Sequence, residues 1–191
     1  SSMSCFKGRE PILDDWEWNQ LSVSRCPTPR HLHSATFYDD SWFIYGGLSN
    51  DGVTLHDFWR FDFATKRWYP LSSSIKCHSH TLVPRGNNAD TLILFGGMYN
   101  GKKQDEMYEY NITQNTWKQV WHADNIPARW GHTSVIFQNK MWVFGGHTDA
   151  CVNDLYCFDL QKLVWTNRST QSTFRKILSQ CYCTVDYSRT L

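Results

Sequence analysis

The sequence predicts an all-β fold of four-stranded sheets stacked radially about an axis, and three observations predict it. Three apolar strands end in a glycine pair: Trp42-Phe43-Ile44-Tyr45-Gly46-Gly47, Leu92-Ile93-Leu94-Phe95-Gly96-Gly97 and Met141-Trp142-Val143-Phe144-Gly145-Gly146, their first glycines 50 and then 49 residues apart. A Trp follows 19 to 21 residues after each second glycine (Trp68, Trp117, Trp165). A His backed by a hydroxyl residue precedes each strand (His33-Ser34, His80-Thr81, His132-Thr133), and an aromatic stretch lies between glycines and Trp (57–62, 106–111, 154–159). Features recurring at a fixed period mark a repeat whose units cannot bury their faces alone.

Each period holds four short strands, giving repeats at about 29–71, 77–120 and 127–166. In the first copy a strand from about His33 turns at Asp39-Asp40-Ser41 into the glycine-ended strand. A longer loop leads to the aromatic strand, which turns at Ala64-Thr65-Lys66 into the Trp strand. Asp, Asn, Ser and Gly at such joints are turn formers. The first turn of copy two is extended over 84–90, which reads as a surface insertion. The second strand is almost continuously apolar, as expected of burial on both faces. The glycine pair allows backbone conformations and close approaches denied to larger residues. The Trp supplies a ring to wedge between neighbouring sheets, and radial packing leaves only short edges.

Composition excludes several classes. The chain is 41% hydrophobic and 19% charged, ordinary for a globular protein, but 16% aromatic with ten Trp. Nineteen basic and 18 acidic residues give +1, without the electrostatic footprint of a nucleic-acid binder. No apolar run approaches the ~18 residues that span a bilayer, and no signal-peptide pattern is read at the N-terminus. Residues 1–15 read as a leader, and Ser1-Ser2-Met3 is given no structural weight. Seven cysteines, an odd count without C-x-x-C, read as free thiols in a reducing compartment, although two glycosylation sequons (Asn111-Ile-Thr113, Asn167-Arg-Ser169) stand against it. The expected location is the cytoplasm, with the nucleus as alternative.

The double glycine, the spaced aromatic and the Trp at fixed distance resemble the Kelch repeat over roughly 16–191. Phe61 and Tyr110 vary the aromatic position, and copy two lacks the Pro-Arg or Pro-x-Arg lead-in that Pro29-Arg30 and Pro127-Ala128-Arg129 provide in the others. The resemblance implies a Kelch-type β-propeller with three full four-stranded blades and partial strands at both ends (16–21 and 179–187). The chain is then part of a larger propeller, or completes a ring by self-association through its open edges.

The resemblance also implies a protein-interaction module, either the substrate-recognition part of a ubiquitin ligase or a cytoskeletal or signalling scaffold. The binding face is built by the loops after the glycine pairs and before the first strands. That selects Arg30, His31, Asn50, Asp51, Asn100, Lys102, Lys103, Arg129, Trp130 and His147 as partner-binding residues. The cations suit an acidic protein or peptide. Arg30 and Arg129 are equally readable as hydrogen-bonding residues between blades, and Trp130 as packing.

Catalysis and cofactors are not expected. His31-x-His33 and His78-x-His80 each put two imidazoles on one strand face, but His33 and His80 align with His132 as the repeat's own histidine, and no zinc spacing supports them. Relatives of this fold include galactose-oxidase-like copper enzymes and sialic acid mutarotases. A copper radical site would need Tyr, His and Cys converging on the axis, and the sequence does not show Tyr45 and Cys77 to converge; neither a nucleophile elbow nor a phosphate-binding glycine loop is present.

Overall fold

The computed structural model describes residues 25–86, 90–121 and 125–169, with 20, 21 and 23, and Trp121 by its backbone alone. Among these residues every regular element is a strand. Blade 1 is β1 (Ser34–Tyr38), β2 (Ser41–Tyr45), β3 (Phe58–Asp62) and β4 (Arg67–Leu71), hydrogen-bonded in that order. Blade 2 is β5 (Thr81–Pro84), β6 (Thr91–Phe95), β9 (Met107–Asn111) and β10 (Thr116–Trp121). Between its second and third strands stands a two-stranded hairpin, β7 (Met98–Tyr99) and β8 (Lys102–Lys103). Blade 3 is β11 (Thr133–Phe137), β12 (Lys140–Phe144), β13 (Leu155–Asp159) and β14 (Val164–Asn167). β1 lies against β5 and β5 against β11, so the first strand of each blade is innermost.

The turns follow from their residues. Tyr38 pairs with Ser41, leaving Asp39 and Asp40 as a two-residue loop with φ of 45° and 52°. Two consecutive left-handed residues match the twist of a hairpin. At the joint of β3 and β4, the Asp62 carboxylate accepts the Thr65 N–H at 2.7 Å and its hydroxyl at 2.8 Å. Asn111 and Asp159 do the same for Gln114 and for Gln161 and Lys162. The extended turn of blade 2 is tied down: the Arg85 N–H donates to the Thr91 carbonyl, and its guanidinium meets Glu109 at 2.6 Å.

Two apolar cores fill the seams. Phe43, Tyr45 and Phe58 of blade 1 meet Leu82, Leu92, Leu94 and Tyr110 of blade 2. Ile93, Phe95 and Met107 of blade 2 meet Met141, Val143, Phe158 and Trp165 of blade 3. Each seam is also sewn by the repeat's histidine. His80 Nε2 lies 2.6 Å from Ser34 Oγ, and His132 Nε2 lies 3.0 Å from Thr81 Oγ1, each reaching back to the preceding blade's hydroxyl. Burial pushes both imidazoles down to about 3, so they are neutral and structural.

The second glycine of the first two pairs belongs to this stitching. The Gly47 N–H donates to the Cys77 carbonyl and the Gly97 N–H to the Arg129 carbonyl, at 3.0 and 2.9 Å. At Gly47, φ is +98° and a Cβ would lie 2.6 Å from the His31 carbonyl, so only glycine fits.

The three repeat tryptophans, all expected in the core, differ. Trp165 is 7% exposed, whereas Trp68 and Trp117 are only half-buried. Trp165 and Trp117 reach the preceding blade, at Phe95 and at Tyr45 and Phe58. Trp68 has no preceding blade among the described residues and leans on Trp42 and Phe61 of its own. The expected terminal strands at 16–21 and 179–187 lie outside the described residues, apart from Gln20 and Leu21, which form no strand.

Candidate partner-binding face

The loops before the first strands and after the glycine pairs do form one face, because backbone bridges join them. His31 pairs with Leu48, His78 with Met98 and Trp130 with His147. Next to each bridge stands a left-handed residue (Leu32, Ser79, Gly131). The Ser79 N–H donates to the Leu32 carbonyl and the Gly131 N–H to the Ser79 carbonyl, both at 2.8 Å. The face is thereby fixed from blade to blade by backbone bonds.

Arg30 and Arg129 turn inward and clamp the loops from beneath. Arg129 is 0% exposed; its guanidinium donates to both carboxylate oxygens of Asp154 at 2.6 and 3.0 Å and to the Gly145 carbonyl at 2.9 Å. Arg30 repeats the arrangement with Asp57, at 2.7 and 2.6 Å, and with the Gly46 carbonyl. Burial pushes the Asp57 carboxyl up, but hydrogen bonds from Arg30 and Trp59 outweigh it and hold the group below its usual range. Both clamps act within a blade, not between blades. Arg129 therefore has no surface to offer a partner, and Arg30 little.

Lys103 is also committed. Its ammonium meets Asp149 at 2.6 Å and the Thr148 carbonyl at 2.7 Å, locking the β7–β8 hairpin to the blade 3 loop. That hairpin replaces the plain loop expected there; Asn100 and Gly101, at φ 49° and 71°, form its turn. Lys102, Asn100, Asn50, Asp51 and His31 are exposed. Trp130 and His147 are half-buried and stack on each other, ring centroids 5.1 Å apart and 25° from parallel. Of the four cations selected from the sequence, three are neutralised by carboxylates and Lys102 extends to solvent.

The sequence reading passed over the carboxylates. A signal was there: an acidic residue opens the aromatic stretch in every copy, as Asp57, Glu106 and Asp154, and the lead-in Arg stands opposite in copies one and three. In copy two the Arg position holds Cys77, buried at 1% exposure, with its thiol pushed up by burial and by Glu106. Cys26, Cys77 and Cys157 are free thiols. Among the described residues no three His, Cys, Asp or Glu side chains are grouped to hold a metal ion, and no helix is long and apolar enough to cross a membrane.

Fold and face together define three consecutive blades of a β-propeller. A family model described as the KLHDC2/KLHL20/DRC7 Kelch-repeats domain matches residues 73–190, and one described as the Attractin/LZTR1 beta-propeller matches residues 12–120. The chain belongs to the Kelch-repeat β-propeller family. It is 26% identical over 172 residues to the leucine-zipper-like transcriptional regulator 1 homolog of Drosophila melanogaster, covering 84% of this chain and 17% of that protein. It is 30% identical over 162 residues to tip elongation aberrant protein 1 of Schizosaccharomyces pombe, covering 76% of this chain and 14% of that protein. Human leucine-zipper-like transcriptional regulator 1 is 25% identical over 166 residues, covering 78% of this chain. The chain spans 17%, 14% and 19% of these relatives, a small part of each.

Proposed function

We propose that the chain is a protein-interaction module, binding rather than catalytic, that takes a partner protein or peptide on the loop face. One observation carries this reading: the frame of that face repeats in all three blades while the side chains it presents do not. The bridges His31–Leu48, His78–Met98 and Trp130–His147 hold equivalent positions, yet the tips offer Asn50 and Asp51, then Asn100 and Lys102, then Asp149. A rigid scaffold with varied loop tips is how binding surfaces are built.

The finer assignment is substrate recognition for a ubiquitin ligase in the cytoplasm, resting on family resemblance alone. The name of the yeast relative speaks of tip elongation, which favours a cytoskeletal scaffold as the second reading. An acidic partner stays part of the proposal, supported by Lys102 rather than by the clamped arginines.

The test is affinity capture from cell extract with the chain and two variants. Lys102→Glu with Asp51→Arg changes the loop face. Asp39→Asn with Asp40→Gly removes charge from the opposite end while keeping a turn-compatible pair. Partners lost only with the first variant support the reading; partners lost only with the second place the site on the other face. Cullins in the eluate favour the ligase role, and actin favours the scaffold.

A further inference from the structure

We propose that Thr28 is a phosphorylation site for a proline-directed protein kinase, and that its phosphate draws Arg30 away from Asp57 and unfastens the blade 1 loop. The consequence for partner capture rests on the loop-face reading; the modification and the exchange of partners at Arg30 do not.

Thr28-Pro29 is the only Ser-Pro or Thr-Pro step in the 191-residue sequence. A residue before proline is driven out of helical and into extended backbone, and prolines flank this one at 27 and 29. Among the described residues no strand or bridge takes in 26–30, and Thr28 and Pro29 are exposed. An exposed, extended Thr-Pro step outside any ladder is one that a kinase groove can take up. Its exposure does not depend on an open seam. Pro127 holds the equivalent position in blade 3, five residues before the repeat's histidine, and is exposed although blade 2 packs alongside.

The hydroxyl already lies against the clamp. Arg30 Nη2 donates to Thr28 Oγ1 at 3.3 Å and to Asp57 Oδ2 at 2.6 Å, and Nε donates to the Thr28 carbonyl at 3.1 Å. In blade 3 the Arg129 Nε donates likewise to the Pro127 carbonyl, at 3.2 Å, but proline brings no hydroxyl. In blade 2 Cys77 replaces the arginine. Among the described blades, blade 1 alone joins a hydroxyl to the clamp. The kinase step transfers the γ-phosphoryl group of ATP: an O–P bond forms at Thr28 Oγ1, the bond to ADP breaks, and the hydroxyl proton is released. The phosphate carries a charge of about −1.5 to −2 at pH 7 on three acceptor oxygens, against the single charge of Asp57. Arginine–phosphate pairs are charge-assisted and bidentate, so the guanidinium turns to the phosphate while the two anions repel. Asp57 keeps the Trp59 indole N–H, at 2.6 Å, and loses the arginine. Asp57 closes the loop that carries Asn50 and Asp51, its carbonyl accepting the Gly46 N–H at 3.1 Å, so the loop loosens with it.

The chain is incubated with a purified proline-directed kinase of the mitogen-activated class and MgATP, and modified sites are mapped by tandem mass spectrometry. One phosphoryl group at Thr28 is expected, absent from Thr28→Ala and strongly reduced in Pro29→Ala. Hydrogen exchange is then compared before and after modification. Amides of 46–57 should exchange faster, while those of 145–154, around the Arg129 clamp, stay unchanged. Phosphorus-31 NMR reads the pairing itself. The phosphate should titrate at lower pH in the folded chain than in the same chain unfolded in urea, because Arg30 favours the dianion. Arg30→Gln should abolish that difference. No phosphate at Thr28, unchanged exchange at 46–57, or equal titration in the folded and unfolded chain each overturns the proposal. None of these readings uses a partner, so the loop-face reading and this one can fail separately.

Discussion

The lead-ins of blades 2 and 3 reach the same place by different chemistry. In blade 3 the segment before β11 is held by Arg129, which ties it to Asp154 and the Gly145 carbonyl of its own blade. In blade 2 the equivalent position is Cys77, and the tether comes from the neighbour instead. The Tyr45 hydroxyl donates to the Ile75 carbonyl at 2.7 Å and accepts the Ile75 N–H at 3.1 Å. The position of Tyr45 in the next blade is Phe95, which has no hydroxyl to give. So the Arg-bearing blade is clamped internally and follows a Phe, while the Arg-less blade is clamped across the seam and follows a Tyr. A buried lead-in needs its polar groups satisfied, and the repeat tolerates either supplier.

The largest effects should come from the blade 3 side. Arg129→Met leaves the Asp154 carboxylate without its guanidinium and the Gly145 carbonyl without that donor, and should cost about 3–5 kcal/mol. Trp165→Ala should cost about the same, by cavity formation. Denaturant midpoints of Arg30→Met and Trp68→Ala should fall less, because those residues border the outer face. Equal losses at all four positions would break the distinction between covered and outward blades.

Acid should weaken both seams together. His80 and His132 are buried neutral, their values lowered to about 3 by burial first and then by neighbouring cations and histidines. The unfolded chain takes up protons below about 6.5 that the folded chain refuses. The stability these groups contribute is therefore present above that value and is lost as pH falls towards 3, at about 1.4 kcal/mol per pH unit for each histidine. Urea midpoints from pH 7.5 to 4.5 should show the decline; a flat profile would mean the imidazoles are solvated.

Most of this architecture was legible in the sequence because its markers are local. Glycine pairs, His-hydroxyl pairs and Trp spacing each report one backbone event, and strand order followed from them. The roles of the arginines were not legible, since Asp57 and Asp154 lie 27 and 25 residues away and the fold decides whether a guanidinium turns in or out. The β7–β8 hairpin was missed although Asn100-Gly101 is a hairpin turn signal, because its strands are two residues each. Trp68 was placed in the core on the pattern alone, and a repeat pattern does not say whether a neighbour stands beside the first copy.

Tyr45→Phe tests the exchange of tethers directly. It removes one oxygen and leaves the Ile75 N–H and carbonyl without that partner, which should cost about 1–3 kcal/mol. Hydrogen exchange should speed up in the blade 2 lead-in, around 72–78, and not in that of blade 3. Acceleration in both would mean that the seams share one tether.

The smallest effect separates two neighbouring lysines on one hairpin. Lys103 holds Asp149 and the Thr148 carbonyl across the seam, and its charge lowers the Asp149 carboxyl through a hydrogen bond and direct attraction. Lys102 points to solvent. Lys102→Glu should leave the denaturation midpoint within about ±0.5 kcal/mol of the parent, as surface changes away from special features do. It should weaken capture of an acidic partner. Lys103→Glu sets a second carboxylate against Asp149 in place of the ammonium that held it, so it should loosen the blade 3 loop and disturb the face whatever the partner's charge. The discriminating measurement is partner capture at low and high salt for each variant. Loss that follows Lys102 and is matched in the parent by added salt identifies direct charge recognition. Loss confined to Lys103 and indifferent to salt shows that the hairpin's position, and not its charge, is what the partner reads.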